Sequence, residues 1–183
     1  MMRTTKLGIA GAALFLAIGV ATPALATDYK AGDLTVVQPW ARATPSGAKV
    51  GGAYLAITNN GKTADRLTGA SIPEADHVEI HEMKMDGGVM KMRPLPNGIE
   101  IKPGQTVKLN PQGNHLMLMG LKAPLKQNEV VKGKLTFEKA GAVDVEFKIN
   151  SIAAMSADSA PVDGTMKMDA MKMQKMDKTH TGH

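Results

Sequence analysis

The chain of 183 residues contains no cysteine. That absence excludes disulfide staples, thiolate metal sites and attachment of a lipid to a cysteine. Aromatic residues are scarce, with one tryptophan, two tyrosines and three phenylalanines, which leaves methionine as the residue to explain. No apolar run reaches the roughly 20 residues that span a bilayer as a helix; the longest stretch, Leu7 to Val20, follows Arg3 and Lys6 and leads into Ala24-Leu25-Ala26. A basic start, a short apolar run and a small-residue ending predict a secretory signal peptide over residues 1–26, cleaved after Ala26. Two of the 22 basic residues lie in that leader, leaving 20 against 17 acidic ones, a scattered surplus with no basic run suited to nucleic acid or anionic lipid.

What the chain has in excess is methionine: 14 residues, of which Met1 and Met2 fall in the leader. About 157 residues remain after cleavage, enough for one domain with a single core. From Leu34 to Ile152 the sequence reads as short strands at Leu34 to Gln38, Val50 to Thr58, Arg66 to Ala70, His77 to Met85, Gly88 to Arg93, Ile99 to Ile101, Thr106 to Leu109, His115 to Met119, Val130 to Phe137 and Val143 to Ile149. Asn59-Asn60-Gly61, Asp86-Gly87, Pro96-Asn97-Gly98, Pro103-Gly104 and Gln112-Gly113-Asn114 supply turns between them. Many short strands at this spacing predict an all-β sandwich or barrel, placed at residues 27–154. There is no internal repeat.

Beyond Ile152 the composition turns to Ser, Ala, Asp, Pro and Gly, and the sizeable apolar residues of the end segment are Met166, Met168, Met171, Met173 and Met176. Their spacing scatters around a helix instead of forming a stripe. A segment this polar cannot bury enough surface to offset its ordering entropy, which predicts a disordered tail over residues 155–183.

The stretch His81-Glu82-Met83-Lys84-Met85-Asp86-Gly87-Gly88-Val89-Met90-Lys91-Met92 holds the pair Asp-Gly, a favoured two-residue hairpin loop. With Asp86-Gly87 as the loop, Met85 faces Gly88, Met83 faces Met90 and His81 faces Met92. One face then gathers His81, Met83, Met85, Met90 and Met92, and leaves Ile80, Glu82 and Lys84 on the other. A second strand, His115-Leu116-Met117-Leu118-Met119, alternates in the same way and can bring another imidazole and more thioethers alongside. Thioether sulfur is a soft ligand suited to Cu(I), and imidazole suits both copper oxidation states.

The competing account is packing, since methionine fills irregular cores well. It takes Met119 and Met155, leaves Met85 open, and treats His77 as a strand start; Trp40 and Arg42 pack and cap the sheet. It does not account for two His-x-Met pairs, His81 with Met83 and His115 with Met117, beside a methionine-rich tail in a cysteine-free chain.

At these residues the sequence resembles the periplasmic copper A chaperones (PCuAC), a family of cupredoxin-like β proteins. The likeness runs from about Val36 to Phe147 and includes Trp40-Ala41-Arg42-Ala43 and Asn114-His115-Leu116-Met117-Leu118-Met119-Gly120-Leu121. The family motif is a histidine, ten residues, a methionine, about twenty-one residues, then His-x-Met. Here it falls on His81, Met92, His115 and Met117, with twenty-two residues in the second gap, the extra one assigned to the loops around Pro103 or Gly113. The resemblance implies that these four ligate Cu(I) and that the protein carries copper in the periplasm toward the copper centres of cytochrome c oxidase, handing it to an oxidase subunit or its assembly factors. It also implies an additional copper site in the tail, with Cu(II) a candidate ion. Met83 and Met90, together with Met166, Met168, Met171, Met173, Met176, His180 and His183, are the auxiliary candidates.

Other classes fare worse. A blue-copper electron carrier needs a cysteine thiolate. A haem protein with His/Met axial ligands lacks a CxxCH attachment and an aromatic-lined helical pocket. No nucleophile with an orienting base is visible, so an enzyme is not expected. Copper sequestration without a delivery partner uses the same residues and stays open beside delivery.

Overall fold

The computed structural model describes residues 28–158, and all regular structure among them is β. The strands are β1 (Tyr29–Ala31), β2 (Leu34–Arg42), β3 (Val50–Asn59), β4 (Asp65–Ser71), β5 (His77–Asp86), β6 (Val89–Pro94), β7 (Ile99–Ile101), β8 (Thr106–Leu109), β9 (His115–Met119), β10 (Val130–Phe137) and β11 (Gly141–Asn150). They form one hydrogen-bonded sheet in the order β6-β5-β9-β3-β2-β11-β10-β4-β7, with β1 added to β2 and β8 to β3. All pairings are antiparallel except β11 with β2.

Strict alternation of apolar and polar residues makes these segments strands and decides which face is buried. In β10 the pattern Val131, Gly133, Leu135, Phe137 inward and Lys132, Lys134, Thr136 outward is the period-two signature of a sheet with one wet face. The sheet folds over on itself so that Val36, Ile57, Leu67, Ile80, Leu116, Leu118, Leu135 and Phe147 meet in a single core. Each such side chain, fully buried, contributes roughly 1.5–3 kcal/mol. The expected all-β, cupredoxin-like architecture is what the chain adopts.

Two local departures from regularity shape the outer face. In β2 the pairing with β3 slips between Val37 and Trp40, where Gln38 takes a positive φ of 50° and Pro39 cannot donate to the ladder. Before this bulge Leu34 and Val36 point to the core; after it Ala41 takes the core side and Trp40 is turned outward onto Tyr54, ring centroids 4.4 Å apart. This is why the strand continues to Arg42, beyond the expected end at Gln38. Past β11, the segment from Ser151 to Asp158 is held against the same region: Asn150 donates to the carbonyls of Ser156 and Ala157, and Arg42 Nε donates to that of Ala154. The predicted signal peptide and the tail residues Met166, Met168, Met171, Met173, Met176, His180 and His183 lie outside the described residues.

Candidate metal centre

The site is a consequence of strand parity. In β5 and β9 the even-numbered Ile80, Leu116 and Leu118 are buried in the core, so the odd-numbered residues emerge on the opposite face. The register pairs His81 with His115, Glu79 with Met117 and His77 with Met119. Both imidazoles are nonetheless well covered, 7% and 6% exposed, and their ring centroids are 5.8 Å apart.

Each ring has one nitrogen engaged and one left over. His115 Nδ1 lies 3.0 Å from the Gly113 carbonyl and must donate to it, which leaves the Nε2 lone pair free. His81 Nε2 lies 2.7 Å from Glu79 Oε2 and donates to that carboxylate. Its buried Nδ1 has no partner. A buried polar atom without a hydrogen bond costs about 1–3 kcal/mol, and an imidazole fixed through its other nitrogen by a carboxylate or carbonyl is the usual preparation of a metal ligand. The hydrogen bond from His81, opposed by a smaller desolvation effect and aided by His77, holds the Glu79 carboxyl below the ordinary carboxylate range. Glu79 was not among the sequence candidates, although its place two residues before His81 on the same strand face was a signal for it.

The thioethers come from the β5–β6 hairpin and from β9. Here the expected register is corrected. The loop is Gly87-Gly88, not Asp86-Gly87, and the opposed pairs are Asp86 with Val89, Met85 with Met90, Met83 with Met92, and His81 with Pro94. Both loop residues have positive φ, 59° and 82°, which two glycines adopt without a steric penalty. Asp86 stays in the strand, where its carboxylate pairs with Lys91 at 2.7 Å. The shift is by two residues, so parity is kept, and His81, Met83, Met85, Met90 and Met92 share one face as expected. Glu82 and Arg93 pair across the other face.

An open depression of about 370 Å³ lies over this face, and Met83, Met92, His115 and Met117 are among its walls together with Tyr54 and Arg42. His81 is not among its walls; its ring centroid lies 5.8 Å from that of His115, which is. Met119 is apart, at the far end of β9 opposite His77 and Val50. Met85 and Met90 stand at the hairpin tip. Arg42 is not a ligand: its guanidinium lies 5.9 Å from the Tyr54 ring centre and contacts Met155 Sδ at 2.9 Å. Among the described residues no group of three or more His, Cys, Asp or Glu side chains is placed to hold a metal. Beside the two imidazoles the donors that line the depression are the thioethers of Met83, Met92 and Met117, and thioether sulfur is a soft ligand.

A β sheet of this topology, with two imidazoles beside a thioether row, defines a cupredoxin-like protein of the PCuAC type. The family model described as "Putative lipoprotein LpqE-like" matches residues 34–149, and the chain belongs to that family. It is 29% identical over 147 residues to "Putative lipoprotein Lxx21020" of Leifsonia xyli subsp. xyli, covering 80% of this chain and 85% of that one. Among solved structures it is similar to the apo PCuAC domain from PmoF1, with 29% identity, a TM-score of 0.59, and coverage of 68% of this chain and 99% of that one. It is also similar to the Cu(I) form of DR1885 from Deinococcus radiodurans, with 29% identity, a TM-score of 0.52, and coverage of 61% and 74%.

Proposed function

We propose that this protein is an exported copper chaperone that binds one Cu(I) through His81, Met92, His115 and Met117 and passes it toward the copper centres of cytochrome c oxidase. The observation that carries this reading is the pair of buried, oriented imidazoles, one of which, His115, lines a depression together with thioethers. His81 Nδ1 is unpartnered, His115 Nε2 is left free by the bond to Gly113, and Met92 and Met117 line the depression beside them. The copper-bound form of DR1885, a solved relative, supports the choice of metal and of oxidation state.

The chemistry of the set suits a carrier rather than a catalyst. Four neutral ligands leave the bound ion its single positive charge, and without a thiolate the ion is held less tightly. Release to an acceptor with stronger ligands is then downhill. The tail residues Met166, Met168, Met171, Met173, Met176, His180 and His183, with Met83 and Met90, offer further soft and imidazole donors for additional copper, Cu(II) included. Sequestration without transfer uses the same site, so transfer itself is the deciding measurement.

The test is an anaerobic Cu(I) titration of the full chain against a competing chelator, with X-ray absorption at the copper edge, followed by incubation with the soluble copper domain of an oxidase subunit. Mixed nitrogen and sulfur scattering and movement of copper to the oxidase domain are expected. Tight binding without any transfer would leave sequestration as the function.

A further inference from the structure

The hairpin face carries more thioether than the four-ligand set uses. From the body of the sheet outward its rungs are His81 opposite Pro94, Met83 opposite Met92, Met85 opposite Met90, and then the Gly87-Gly88 turn. Directly opposed residues of an antiparallel pair have Cβ atoms roughly 4.5–5.5 Å apart, within reach of two flexible thioethers closing on one ion. Successive rungs on one face are separated by roughly 7 Å.

Packing does not explain the outer rung. Met85 is 59% and Met90 44% exposed, every residue of β6 is exposed, and β6 is an end strand of the sheet. Exposed end strands are ordinarily protected by charge. Here the charges, Glu82 with Arg93 and Asp86 with Lys91, are paired with one another, and the methionine face is left to the solvent.

We infer that Met85 and Met90 form a second, outer Cu(I) site, a two-thioether station at the hairpin tip through which the ion enters and leaves the inner site. The inference rests on the reading of the inner site given above. Two neutral sulfurs suffice for a linear, weakly held Cu(I). The Met83–Met92 rung then links the station to the imidazoles, since Met92 belongs to the inner set and stands next to Met90 on the same face. An acceptor protein meets the tip before it meets the buried histidines, so the ion crosses by exchange of one thioether at a time.

The experiment follows methionine methyl resonances of the full chain, labelled with 13C-methyl methionine, during anaerobic addition of Cu(I). The first equivalent should shift Met92 and Met117. Further additions should shift Met85 and Met90 together, and in Met85→Leu the response of Met90 should be lost while the first step is unchanged. Leucine on this exposed rung leaves the fold intact, so loss of the response reads as loss of a ligand. If Met85 and Met90 stay still while the tail methyls saturate, or if Met90 still responds in Met85→Leu, there is no outer station. If Met92 and Met117 fail to shift at all, the inner-site reading is overturned, and the station as its entry point falls with it.

Discussion

His81 and His115 are direct cross-strand partners on β5 and β9, and they are anchored through opposite ring nitrogens, Nε2 to the Glu79 carboxylate and Nδ1 to the Gly113 carbonyl. The two lone pairs that remain belong to different positions of the two rings. The ring centroids lie 5.8 Å apart, and each ring keeps its orientation through its own anchor.

The first prediction separates ligation from packing. Met92 is 48% exposed and Met117 partly buried, so Met92→Leu and Met117→Leu should cost under about 1.5 kcal/mol of stability while deleting the sulfur. Both should keep the melting temperature and lose most Cu(I) affinity in a chelator competition, as should His81→Ala and His115→Ala. Met119→Leu, at the far end of β9, should change neither. Leu116→Ala, behind the site in the core, should instead lower stability by about 2–5 kcal/mol. Full copper binding by Met92→Leu and Met117→Leu would make the methionines filler.

Glu79 is predicted to position His81 by fixing which nitrogen carries the proton. Glu79→Gln keeps an acceptor oxygen for His81 Nε2–H, whereas Glu79→Ala removes it. Imidazole 15N shifts should show the Nε2–H tautomer of His81 in the parent and in Glu79→Gln, and a mixture in Glu79→Ala. Cu(I) affinity should fall in the order parent, Gln, Ala. An unchanged tautomer in Glu79→Ala would show that the carboxylate has no such role.

How much of this was legible beforehand follows from what strand patterns encode. Alternation located Ile99–Ile101, Thr106–Leu109, His115–Met119 and Val130–Phe137 with the bounds they have, and parity alone placed the histidines and methionines on one face. Parity does not fix register. Asp86-Gly87 and Gly87-Gly88 give the same faces but different partners, and the observed loop puts both positive φ values on glycines, where they cost least. The continuation of β2 through Gln38 and Pro39 was illegible for a different reason: a bulge breaks the period on which the reading depends. Tyr29–Ala31 escaped notice because Tyr-Lys-Ala has no strong apolar alternation, unlike the Ile-Glu-Ile of Ile99–Ile101. Glu79 was passed over because a carboxylate beside a histidine is common, and only the 2.7 Å contact with a buried ring distinguishes it.

The pH response of folding should be traceable to Asp65. Burial raises its pKa, but the backbone N–H groups of Lys139, Arg66 and Ala140, with the charge of Lys139, outweigh this and hold it below the ordinary carboxylate value. A carboxyl whose folded pKa is depressed contributes stability that is present above its unfolded pKa, near 3.9, and is lost as pH falls through the lower folded value. Asp65→Asn should therefore be less stable than the parent at neutral pH, and the gap should narrow under acid. Denaturant midpoints measured across the acid range check this; a gap that stays constant with pH would assign the loss to geometry alone.

The last prediction concerns the wall of the depression. Gly52 is the β3 partner of Met117, and a Cβ placed there would lie 2.5 Å from the Tyr54 hydroxyl and 3.1 Å from the ring carbon that bears it. That ring cannot swing away freely, because it is stacked on Trp40 and flanked by Arg42. Overpacking of this kind costs typically 1–3 kcal/mol. Gly52→Ala should lose stability in that range and alter the fluorescence of Trp40, the single tryptophan. It should also weaken Cu(I) binding, since a displaced Tyr54 crowds the space in front of Met117. Adding Tyr54→Phe deletes the oxygen that makes the shorter contact and leaves the 3.1 Å one, so the double variant should recover part of the stability and part of the affinity. If Gly52→Ala binds copper as tightly as the parent while its Trp40 emission has moved, the tyrosine wall does not bear on the site, and Met117 reaches the ion from the β9 side alone.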